Sequence, residues 1–110
     1  MKQIVTPFGT FLTDEVLADA ICRYSRALAR VHDSAFVEIP YRDAHGLVRR
    51  VVLRVGWLVS IDVAASTLVA EKVDADVIAT EIIRWSEEVE RREAIGSSNP
   101  YDPIDGKAAR

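Results

Sequence analysis

Cysteine is almost missing from this 110-residue chain: Cys22 stands alone, so no internal disulfide can form. A small domain that holds together without disulfides suits a reducing compartment, and a cytoplasmic location is expected. Glycine and proline are sparse, at five and four residues, and two of each fall beyond residue 95. That leaves no glycine-rich loop able to cradle a phosphate through backbone amides. Long hydrophobic runs are also lacking. The most apolar stretch is interrupted by Arg49, Arg50, Arg54, Ser60 and Asp62, so no membrane-spanning segment is expected. The first residues lack the charged, apolar and small-residue order of a secretory signal.

Catalytic signatures are absent as well. The chain has no G-x-S-x-G, H-E-x-x-H or C-x-x-C motif, which removes the common linear signs of hydrolase, metalloprotease and thiol-redox chemistry. A metal site would need three or four ligands converging from distant segments. Two histidines, one cysteine and scattered carboxylates do not predict one, so neither metal nor cofactor is expected. Two pairs resemble proton-transfer partners, His32 with Asp33 and His45 with Asp43. Both read more simply as local structure: an imidazole suits the negative end of a helix, and an aspartate in a turn bonds its own backbone. Cys22, next to Ile21, reads as a buried, inert thiol.

What the chain does contain is an ordinary globular balance, 49% hydrophobic and 28% charged, with a net charge of −3. The charge is uneven. Residues 1–55 carry 8 basic and 6 acidic side chains, and residues 56–110 carry 6 and 11. Net acidity disfavours general nucleic-acid affinity, which needs a clustered positive field. A chain this short buries only a modest core, so a partner chain is expected.

Hydrophobic periodicity orders the elements. Residues 1–11 form a short extended lead-in, broken by Pro7 and Gly9. Val16, Leu17, Ala20, Ile21, Tyr24, Leu28 and Val31 recur at helical steps, so a helix is expected over about 13–32 with Thr13 as its N-cap. The period then changes. Val37, Ile39 and Tyr41 alternate with Glu38, Pro40 and Arg42, and Pro40 assigns that strand to an edge or a bulge. Asp43-Ala44-His45-Gly46 reads as a turn. In the next strand, 47–55, Leu47, Val51, Leu53 and Val55 share a face with Arg49, while Val48 and Val52 share the other with Arg50 and Arg54. Gly56 is expected to close a second hairpin, in preference to a bulge within one long bent strand, with Trp57, Val59, Ile61 and Val63 alternating beyond it. Residues 67–73 form a fourth strand or lead into helix. Asp74 or Asp76 caps a last helix carrying the stripe Ile78, Ile82, Trp85 and Val89, with Gly96 following its final turn.

The expected fold is therefore α+β: a three- or four-stranded antiparallel meander flanked in sequence by an N-terminal and a C-terminal helix packed on one face. Residues 1–95 make one domain, and 96–110 a mobile C-terminal tail. Function follows from the surface this leaves uncovered. The first expectation is a small non-catalytic interaction or homodimerisation domain, with Val48, Val52, Trp57 and Leu58 at the interface. A second is anion or nucleic-acid binding through the hairpin arginines Arg42, Arg49, Arg50 and Arg54, with Tyr41 or Trp57 available for stacking and His45 nearby. A third is a small enzyme or ligand-binding module with a site at a subunit boundary.

Overall fold

The computed structural model describes residues 1–66 and 74–97. The lead-in forms a hairpin of its own, β1 (Lys2–Thr6) and β2 (Gly9–Thr13), antiparallel from Lys2 opposite Thr13 to Thr6 opposite Gly9. Pro7 and Phe8 make the turn between the strands. There the Thr6 hydroxyl donates to the Gly9 carbonyl at 2.9 Å and accepts the Phe8 N–H at 3.2 Å. The residues that seemed to break a strand thus reverse one, because a threonine side chain and a proline together satisfy a tight turn.

The first helix, α1, spans Glu15–Arg30, shorter than the expected 13–32. Thr13 is not its cap. It is the last residue of β2, fully buried, and its hydroxyl donates to the Pro40 carbonyl at 3.0 Å. Asp14 holds the capping position with extended backbone. The helix ends with the Asp33 N–H on the Leu28 carbonyl (2.9 Å) and the His32 N–H on the Ala29 carbonyl (3.1 Å). This is the left-handed termination usually given to glycine; here His32 takes it, at φ 57°.

After α1 come β3 (Ser34–Arg42) and β4 (Val48–Gly56), paired antiparallel over their full length, then β5 (Asp62–Ala65) and the helix α2 (Asp76–Ser97). The class stands as expected: an α+β chain with an antiparallel sheet, an N-terminal helix and a C-terminal helix. The sheet has five strands rather than three or four, in the order β4-β3-β2-β1-β5. Gly56 does not close a second hairpin. The chain leaves β4 there and crosses to the far edge, where β5 pairs with β1, Val63 opposite Ile4. Trp57 lies in the turn after β4 instead of on an alternating strand. The expected strand over 67–73 lies outside the described residues, as does most of the expected tail; α2 runs through Ser97, past Gly96.

Pro40 has a clear consequence. The Trp57 N–H reaches the Asp33 carbonyl at 2.9 Å, which fixes the alternation of the β3–β4 ladder. Odd-numbered residues of β3 bond to β4, and Glu38, Pro40 and Arg42 turn their backbones toward β2. β3 is therefore an inner strand, but it meets β2 only at Leu12 opposite Arg42. Pairing stops where proline offers no N–H, and the Thr13 hydroxyl takes the Pro40 carbonyl.

α1 lies on one face of the sheet. Leu17, Ile21 and Leu28 bury against Ile4, Val37, Ile39, Leu53 and Val55, each large side chain contributing about 1.5–3 kcal/mol by its removal from water. α2 packs along a second flank of α1. Small residues there, Ala20 and Ala27 on α1 and Ala79 on α2, are almost completely buried. The buried stripe of α2 runs through Ala75, Ala79, Ile82, Ser86 and Val89. Of the expected stripe, Ile82 and Val89 are inside, Ile78 is half-buried, and Trp85 stands at the rim beside Tyr24, ring centres 5.9 Å apart. The Ala75 carbonyl accepts the first helical bond from Ala79 at 2.8 Å, so Asp76 lies inside the first turn rather than capping it. Arg23 reaches Glu90 through two bonds of 2.8 and 3.0 Å, and Arg30 reaches Glu93 at 3.1 Å. None of the described helices is long and apolar enough to cross a membrane.

Candidate functional site

The most distinctive surface is the face of β3 and β4 that α1 leaves uncovered. Side chains of antiparallel partners share a face, so the register places Phe36 beside Arg54, Glu38 beside Val52, Pro40 beside Arg50 and Arg42 beside Val48. Phe36, Val52 and Val48 are 71%, 58% and 52% exposed. The charges interleaved with them are three arginines and one carboxylate, a local positive excess on a chain of net charge −3.

The expected site residues divide between the two faces. Val48 and Val52 lie on the open face with Arg50 and Arg54. Arg49 and its partner Tyr41 lie on the α1 side, where the Tyr41 ring meets the edge of Phe11 at 5.0 Å. Tyr41 is thus directed away from Arg50 and Arg54. Trp57 and Leu58 leave the sheet altogether. Trp57, half-exposed, stands edge-on to the His32 ring at 4.8 Å, and Leu58 is 81% exposed with φ 62°.

The hairpin turn is held by Asp43. Its carboxylate accepts the N–H groups of His45 (2.9 Å) and Leu47 (3.0 Å) and pairs with the Arg49 guanidinium. Those three partners, Arg49 foremost, hold the carboxyl below its ordinary range. Gly46 completes the turn at φ 80°. His45 contributes its backbone amide here and its side chain is exposed, so the Asp43–His45 pair is a turn device. Arg49 is neutralised on the far face, and Arg42 donates to the Gly46 carbonyl at 2.7 Å. Arg54 reaches the Ser34 hydroxyl at 3.4 Å. Arg50 has no hydrogen-bond or ion-pair partner among the described residues.

One residue of the open face escaped the sequence reading as a site member, Phe36. Its signal was present in the alternation: counting back by two from Glu38 reaches it. Elsewhere, Cys22 is half-exposed in a shallow polar depression shared with Lys2, Asp19, Arg26 and Asp62, rather than buried. Among the described residues no group of three or more histidine, cysteine, aspartate or glutamate side chains converges to hold a metal. No protein-family model, curated protein or solved structure matches this chain.

Proposed function

We propose that this chain is a non-catalytic protein-interaction domain whose contact surface is the open face of β3 and β4. The observation that carries this reading is the exposure of Phe36, Val48 and Val52 together on one strand pair, opposite the helix-covered side. Isolated exposed apolar residues are ordinary; three on one face of a single strand pair, interleaved with arginines and a glutamate, give the mixed apolar and charged character of a protein contact surface. A second copy is one natural occupant, giving a two-fold dimer in which Glu38 of each face meets an arginine of the other. A cytoplasmic setting accompanies the reading, on the ground of a single unpaired thiol.

Sedimentation velocity between about 1 and 200 µM tests the self-associating form. A mass rising toward twice 12.2 kDa, and reverting to one copy in a Val48→Ser, Val52→Ser variant that keeps its circular dichroism, supports it. A strict monomer throughout removes the homodimer. If, in addition, the face binds no hydrophobic dye and no partner contact protects it in hydrogen exchange, the whole reading fails.

A second reading has one observation in its favour. Arg42, Arg50 and Arg54 share the open face, which suits anion binding. Affinity for a polyanion falling steeply with salt would support it, and equal binding by an Arg50→Ala, Arg54→Ala variant would end it.

A further inference from the structure

β4 is an edge strand. Among the described residues its outer side pairs with no other strand, although it runs nine residues. The ladder alternation fixed by the Trp57–Asp33 bond sends the backbones of Val51, Leu53 and Val55 toward β3, and those of Val48, Arg50, Val52 and Arg54 outward. Gly56 belongs to the outward set, and its N–H is taken by the Ser25 hydroxyl at 2.9 Å. The next four outward residues offer an N–H and a C=O each, at alternate positions, which is the template an extended chain requires.

Side chains state what kind of chain fits. Arg50, Val52 and Arg54 are the outward-bonded residues, and their side chains all lie on the open face. A strand added antiparallel would set its own side chains directly across from these three, on the same face. Two cations flanking a valine ask for two carboxylates flanking an apolar residue, each two positions apart. A second copy of β4 is the wrong occupant: centred on Val52, it would place Arg50 opposite Arg54 of the other copy, and β4 carries no acidic residue.

An apolar hollow of about 600 Å3 lies against residues 51–54 of β4, lined also by Phe8 at the β1–β2 turn, Phe36 and Leu58. Leu58 is held exposed in a left-handed conformation, a strained arrangement that gathers at ligand clamps. The lining of the hollow reaches across β3 to the β1–β2 turn, so it lies inward of β4 rather than at its outer edge.

We propose that β4 takes up an acidic extended segment of another protein as a sixth strand, with carboxylates on Arg50 and Arg54 and an apolar residue over Val52. This rests on the reading of β3–β4 as an interaction surface and names its partner class. A polyphosphate chain would satisfy the arginines but not the outward amides and carbonyls.

Fluorescence anisotropy with a dye-labelled peptide containing Thr-Glu-Thr-Val-Thr-Glu-Thr tests this. Binding is expected in the micromolar range. It should weaken at least tenfold in Arg50→Glu, Arg54→Glu, and that charge-reversed protein should instead bind the peptide with lysine replacing glutamate. This exchange keeps the test valid if single variants lose stability. Methylation of alternate peptide amides should abolish binding, since the contact is made by backbone. Equal binding of the methylated peptide, or of the lysine peptide by the parent protein, overturns the proposal. So does a ten-nucleotide single strand that displaces the glutamate peptide. The sedimentation, dye-binding and hydrogen-exchange measurements use no peptide, so they judge the broader reading separately.

Discussion

Replacing Gly56 with alanine isolates the one place where backbone, strand end and helix end meet without room for a side chain. Gly56 has φ 114°, a region L residues rarely enter. A Cβ there would collide with the Asp33 carbonyl oxygen and lie 2.9 Å from the Ser34 Cα and 3.0 Å from the Leu28 Cβ. Two of those neighbours are backbone, so relief requires moving the β3 entrance away from α1. The conformational strain costs about 1–3 kcal/mol, and forced overpacking about 1–3 kcal/mol more. The smaller entropy of the unfolded alanine chain returns only about 0.4–1 kcal/mol. A net loss of roughly 1–6 kcal/mol follows, a large part of the ~5–15 kcal/mol that holds a small domain folded. Gly46 supplies the control. It too has positive φ, at 80°, but a Cβ there meets nothing within 4 Å, so Gly46→Ala should cost only the left-handed penalty of about 1–2 kcal/mol. Urea unfolding followed by the fluorescence of Trp57 and Trp85 measures both. If Gly56→Ala is no more destabilising than Gly46→Ala, the close approach of β4 to Asp33 and Leu28 is wrong.

Ser25→Ala should destabilise by about 1–3 kcal/mol in the same urea titration, because the buried Gly56 N–H loses its acceptor. Thr13→Val keeps the shape and removes the donor to the Pro40 carbonyl; a loss of about 1 kcal/mol is expected, with unchanged far-ultraviolet dichroism. Leu17→Ala should cost about 2–5 kcal/mol, as a fully buried side chain beneath α1, whereas Leu58→Ala should leave the unfolding midpoint nearly unmoved. The Asp43 carboxyl lies below its ordinary value of 3.8 because Arg49 and two backbone N–H groups favour its ionised form. Its contribution is therefore complete above that value and lost as pH falls through the lower folded one. Thermal scans should show Asp43→Asn less acid-sensitive than the parent below about pH 4. Some sensitivity should remain, since Arg23 lowers Glu90 in the same way.

Much of the fold was legible because much of it is local. The spacing of Leu17, Ile21, Tyr24 and Leu28 gave α1, and the alternation around Val37–Tyr41 and Val51–Val55 gave the β3–β4 hairpin with its faces correctly divided. The turn at Asp43 followed from aspartate bonding its own backbone. Three readings failed where a residue serves two local roles equally well. Thr13 has the chemistry of a cap, but its hydroxyl finds a buried carbonyl 27 positions away. Gly56 has the conformational freedom of a hairpin turn, but here that freedom lets two backbones approach. Trp57 falls into step with Val59 and Ile61, yet the chain there is crossing between sheet edges.

The sequence alone determined the two helices and the extended pair β3–β4, and which side chains of that pair share a face, because these follow from fixed backbone periods. Only the tertiary structure decided the strand order, the placement of α2 against α1, and which face of β3–β4 the first helix covers. Those depend on pairings between residues far apart in the chain. Such pairings are selected by the summed burial and hydrogen bonding of the whole molecule, which no single stretch of residues records.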